Sequence, residues 1–176
     1  VISRDGTAIA FDRIGTGPAL ILVDGGMCYR GFGPMPAMAK RLASQFTVFH
    51  CDRRGRGDSG NHPEYSVTRE IEDLDAVIEA AGGTAMLFGV SSGGALALEA
   101  AKRLPGITRV ALYEAPFIVD GTHPPLPPSF IPELKALIAA DKRAAAVKKF
   151  MRLVGVPGIG VFIMSLLPLW KKMKAI

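Results

Sequence analysis

Hydrophobic and polar positions along this chain change their period several times, and each change marks an element. Ala19-Leu20-Ile21-Leu22-Val23 is a continuous apolar run, as a strand buried on both faces requires, and it breaks into Asp24-Gly25-Gly26. Phe46–Cys51, Thr84–Phe88 and Arg109–Tyr113 are three more short runs of strand character. Between them the period lengthens, and Met35–Leu42, Ser66–Ala81 and Gly94–Leu104 read as helices. In the Ser66–Ala81 helix, Val67, Ile71, Leu74 and Ile78 share one face, while Arg69, Glu70, Glu72, Asp73 and Glu79 fall elsewhere. Asp5-Gly6 between short alternating runs predicts an N-terminal β-hairpin. Strands alternating with helices predict parallel βαβ units, hence an α/β fold whose mostly parallel central sheet is flanked by helices.

The pattern changes after Glu114. His123-Pro124-Pro125-Leu126-Pro127-Pro128 is a stiff extended segment, unsuited to a helix or a central strand. We therefore expect two parts: residues 1–115 as the α/β core, and residues 116–176 as a Pro-rich hinge and a helical cap. Leu153–Trp170 carries no charge, which by length alone resembles a membrane span. Gly155, Pro157, Gly158, Gly160 and Pro168 interrupt it, so short, broken apolar helices are expected instead.

Composition narrows the class. With 176 residues, 49% hydrophobic and 21% charged, the chain buries a real core and is not disordered. The net charge of +5 is local: Lys and Arg gather in residues 141–176, where Asp141 is the lone acid. Few aromatics interleave with these charges, so a solvated helix face is expected rather than a nucleic-acid site. Cys28 and Cys51 fit no metal-binding spacing, and no basic leader followed by a cleavage site opens the chain; a reduced, cytoplasmic protein is expected.

The candidate chemistry lies at Gly89-Val90-Ser91-Ser92-Gly93, wedged between the Thr84–Phe88 strand and the helix that opens at Gly94. A strand–turn–helix of this kind puts a serine at the tip of a turn so tight that its flanking positions must be small. Ser91 is the expected nucleophile. The helix N-terminus and the Ser92 N–H then face any oxyanion formed on it.

Three motifs resemble the α/β-hydrolase superfamily. They are Gly89–Gly93, the loop Asp24-Gly25-Gly26-Met27, and Asp52-Arg53-Arg54-Gly55-Arg56-Gly57-Asp58-Ser59, which looks like that family's D-x-R-G-x-G-x-S loop. They occur in the family's order, and the resemblance runs from the first hairpin to about Ala115. It implies a second oxyanion donor in the early loop, Gly26 or Met27, with Asp24 standing where the family commonly has His. It implies a structural role for the Asp52–Ser59 loop, with anion binding by Arg53, Arg54 and Arg56 as the alternative. It also implies an acid and a histidine to activate Ser91. Glu114, directly after the Arg109–Tyr113 strand, is where some members place that acid, and Asp120 is a weaker choice. Of the histidines, His50 lies within a strand, His62 in a surface turn and His123 at the hinge; none suits the base, which is expected outside these residues.

A serine at this position implies ester hydrolysis through an acyl-enzyme, or the related perhydrolase and C–C hydrolase reactions, without cofactor or metal. The apolar cap residues suggest a small apolar ester. The rival expectation is a non-catalytic binding module, or a fragment completed by another segment. The Arg109–Tyr113 strand is then an exposed sheet edge, open to a homodimer partner or a complementing chain.

Overall fold

The computed structural model describes residues 1–121, 124–168 and 170–171, in two compact units, Val1–Phe117 and Ile118–Ile176. The first holds a five-stranded sheet in the spatial order β1 (Phe11–Ile14), β3 (Thr47–Cys51), β2 (Ala19–Val23), β4 (Ala85–Val90), β5 (Ile107–Tyr113). β2 pairs in parallel with β3 and β4, β4 in parallel with β5, and β1 joins β3 antiparallel. Ahead of β1, Ile2 bridges Ala8 antiparallel across the Asp5-Gly6 turn.

The unbroken apolar run of β2 has its reason in the layers. Ile21 and Val23 enter one core, together with Phe49, Leu87, helix α2 (Val67–Ala80) and helix α3 (Ser92–Ala101). Leu20 and Leu22 enter the other, with Val48 and with Met35 and Ala39 of helix α1 (Met35–Leu42). Ile21, Leu22 and Val23 are wholly buried, each burial being worth about 1.5–3 kcal/mol. The result is the expected α/β architecture, with helices on both faces of a mostly parallel sheet.

Helix α2 departs from the simple apolar-face pattern. Ser66 caps it by accepting the Arg69 N–H, and Ile71, Leu74, Val77 and Ile78 pack inward. Val67 is exposed, whereas Glu70 and Asp73 are buried. Both carboxylates meet arginines from the loop after β3, and pairing of this kind is what lets a charge lie inside.

One topological consequence positions the site. β2 and β4 are parallel neighbours, yet the helix after β2 packs on one face of the sheet and the helix after β4 on the other. The two loops therefore leave the carboxyl ends of adjacent strands toward opposite faces, the place where open α/β sheets bind ligands.

Among the described residues the second unit includes helices α4 (Phe130–Ala139), α5 (Arg143–Leu153) and α6 (Gly158–Leu166). Phe130, Ala146, Val147, Val161 and Trp170 are buried, and Lys149 of α5 pairs with Glu133 of α4. Residues 124–127 carry no regular structure. Gly155, at φ 86°, and Pro157, which caps α6, break the uncharged stretch. Among the described residues no helix is long and apolar enough to cross a membrane.

Candidate active site

Strand β4 ends at Val90 and α3 begins at Ser92, so the chain reverses at Ser91. Its backbone sits at φ 52°, ψ −125°, a region that costs a non-glycine residue about 1–3 kcal/mol. The neighbourhood enforces it. Ser91 N–H donates to the Tyr113 carbonyl at 3.0 Å. A Cβ on Gly89 would lie 2.5 Å from the Gly93 carbonyl oxygen, and one on Gly93 would collide with the Val23 and Asp24 carbonyls. Ser92, the first residue of α3, has no carbonyl a full turn back in the helix for its N–H to bond, so the helix presents its positive end here.

The loop after β2 approaches from the adjacent strand. A Cβ on Gly25 would lie 3.1 Å from the Ser91 Cβ and 3.1 Å from the Val90 carbonyl oxygen. Met27, two residues on, is at φ 66°. From the other side, Tyr113 of β5 pairs with Val90, and Glu114 follows it, exposed and at φ 50°. The ends of β2, β4 and β5 thus bring the segment Gly26–Met27, Ser91–Ser92 and Glu114 to one edge of the sheet.

Below this edge lies a knot of arginines and carboxylates. Asp52 accepts the Arg30 N–H at 2.6 Å, Arg30 Nε at 3.0 Å and the Asp58 N–H at 2.9 Å, while Ser59 Oγ donates to the Asp52 carbonyl. Arg30 also reaches Asp12 and Asp58. Arg54 holds Asp73 through Nε and Nη2, at 2.8 and 2.7 Å. Arg53 grips Glu70 at 2.5 and 2.7 Å, and its Nη1 donates to the Asp24 carbonyl and to Ser92 Oγ, each at 3.1 Å. Burial alone would raise the Glu70 pKa, but the Arg53 hydrogen bonds and charge outweigh it and hold the carboxyl below its ordinary range. Arg53 and Arg54 are therefore committed to carboxylates. The sequence offered no sign of Arg30, nor of Glu70 and Asp73 as inward-facing partners.

Asp24 is buried, and its Oδ2 lies 2.7 Å from His50 Nε2, so its carboxylate is turned toward β3. His62 Nδ1 accepts the Glu64 N–H. His123 lies outside the described residues. Burial raises the pKa of the Cys28 thiol, with the Asp24 charge adding to it, and burial pushes Cys51 up to about 12. Among the described residues no group of three His, Cys, Asp or Glu side chains is placed to hold a metal ion.

Residues 15–170 match the sequence profile of the alpha/beta hydrolase family. Among solved structures, the chain is similar to an alpha/beta hydrolase from Sphaerobacter thermophilus DSM 20745, at 50% identity and a TM-score of 0.91, over 99% of this chain and 68% of that one. It is also similar to the bottromycin epimerase BotH, solved with bottromycin A2, at 25% identity and TM-score 0.69, over 99% of this chain and 69% of that one. A third is an esterase from Exiguobacterium antarcticum, at 25% identity and TM-score 0.68, over 86% and 59% of the two chains. No curated protein sequence matches the chain.

Proposed function

The chain belongs to the alpha/beta hydrolase family, and from that premise we propose that it is a serine hydrolase of carboxylic esters, with Ser91 as nucleophile. The observation that carries this reading is the strained Ser91 backbone, held against the Gly25 loop at the N-terminus of α3. In this mechanism Ser91 Oγ attacks the ester carbonyl and the carbonyl oxygen takes up negative charge. The Ser92 N–H meets it from one side and the N–H of Gly26, or of Met27, from the other. Collapse expels the alcohol and leaves an acyl-Ser91, which water hydrolyses to the free acid.

Asp24 stands where the family usually has His, and its Oδ2 is hydrogen-bonded to His50 Nε2 in β3. Glu114 is proposed as the carboxylate that orients the base, on the strength of its place beside the Ser91 strand end. The base itself is assigned to neither His50, buried within β3, nor His62, whose Nδ1 accepts the Glu64 N–H. Small apolar esters are the proposed substrates, and residues 116–176 the proposed cap. Both rest on the apolar side chains of α6, of which Ile159, Phe162 and Ile163 are exposed.

Release of p-nitrophenol from the acetate, butyrate and octanoate esters tests the reading, with Ser91→Ala as control. With the segment that supplies the base present, turnover of the short esters, lost in the variant, is expected; equal rates for the two proteins would refute it. With His50 buried in β3 and the Nδ1 of His62 taken up by the Glu64 N–H, a second reading is a hydrolase-like binding module, in which ester analogues bind without turnover.

A further inference from the structure

Arg56 differs from the other arginines of its loop. Arg53 and Arg54 hold carboxylates, whereas Arg56, half-buried, reaches main-chain carbonyls: Nη1 donates to Gly25 O at 2.7 Å and to Cys28 O at 3.4 Å. Gly25 and Cys28 bracket the segment that supplies the second oxyanion donor. Burial, and then the charge of Arg53, make this guanidinium easier to deprotonate than usual, so its placement costs free energy that these carbonyls must offset.

A trans peptide is planar, with its C=O and N–H pointing in opposite directions, and the chain has no cis peptide bond among the described residues. Holding the Gly25 carbonyl therefore fixes the direction of the Gly26 N–H. The peptide between Gly25 and Gly26 has glycine on both sides, so its own conformational preferences resist rotation weakly. Arg53 does the same one peptide earlier, through the Asp24 carbonyl, and ties that peptide to Ser92 of α3.

Resting on the assignment of Ser91 and its oxyanion donors above, we propose that Arg56 is a positioning residue that clamps the Gly25 carbonyl and so aims the Gly26 N–H at the oxygen of the acyl group on Ser91. The motif that flagged this loop leaves positions 53 and 56 variable. Their role is visible only once the loop after β3 is seen beneath the loop after β2.

The test compares the full chain with Arg56→Met and Arg56→Gln, using p-nitrophenyl acetate turnover and amide spectra of glycine-labelled protein. Losing the aim of one donor should lower kcat about 10- to 100-fold with KM within about twofold. The Gly26 amide resonance should move while those of Gly89 and Gly93 stay. In whichever variant folds, wild-type kcat with an unmoved Gly26 resonance overturns the proposal. A joint loss of amide dispersion and of both kinetic constants, marking a merely structural arginine, overturns it too. If the wild type shows no turnover, the ester reading fails; the Gly26 resonance then decides the clamp separately, supporting it by moving and refuting it by staying.

Discussion

Gly25 stands against Ser91 so closely that a single methyl group on its Cα would lie 3.1 Å from the Ser91 Cβ. The two residues belong to loops that leave adjacent parallel strands toward opposite faces of the sheet, and their contact is what makes one site of two loops. Gly25→Ala should therefore displace the serine by a few tenths of an ångström without unfolding the core. We expect the second-order rate of Ser91 phosphonylation to fall about tenfold, since small misplacements of a reacting group are costly. The unfolding temperature should move by only a few degrees, at about 1 kcal/mol of destabilisation. Stopped labelling reactions and a thermal scan measure both.

Gly93 is different in kind. A Cβ there meets the Val23 and Asp24 carbonyls, main-chain atoms that cannot rotate away. Gly93→Ala should cost about 3 kcal/mol, the upper end of overpacking effects, and urea unfolding should show it as a lower midpoint. A midpoint equal to the wild type would mean that α3 does not pack this closely on β2.

The Arg53–Glu70 pair makes stability depend on pH in a stated direction. The Glu70 pKa is depressed in the folded protein, so the pair's contribution is fully present above the ordinary carboxyl value of 4.5 and is lost as pH falls through the lower folded value. Unfolding free energy should decline below about pH 4.5, and Glu70→Gln should flatten that decline while lowering stability at neutral pH by about 3 kcal/mol. An unchanged acid limb in the variant would assign the pH dependence elsewhere.

Glu114→Gln tests the proposed acid. Losing the carboxylate that orients the base should lower kcat by about 10²- to 10⁴-fold, with KM little changed. Full turnover in this variant would remove Glu114 from the mechanism.

These expectations divide along the line between what the chain shows by itself and what folding adds. Leu20 to Val23 announce a central strand because both faces of that strand are covered, and Gly89 to Gly93 announce the turn because no other residue fits there. Local chemistry of that sort is legible in sequence. Periodicity sets Glu70 and Asp73 off the apolar face of α2, because a periodicity argument knows only hydrophobicity. Their partners lie 17 and 19 residues away in another loop. The Asp24–His50 pair and the Arg30–Asp52 contact were hidden for the same reason, each requiring the sheet order β3-β2 or the loops above it. The spacing of the motifs showed that arginines cluster after β3, but not that Arg53 and Arg56 reach the carbonyls of the neighbouring loop.

The most direct test of the central claim, that Ser91 is an activated nucleophile, is the intact mass of the protein, with the segment that supplies the base, before and after a fluorophosphonate, followed by peptide mapping, with Ser91→Ala in parallel. One phosphonyl adduct per chain, mapped to Ser91 and absent from the variant, is the expected result. An unlabelled chain that is fully folded, or an adduct that persists in Ser91→Ala, would contradict it.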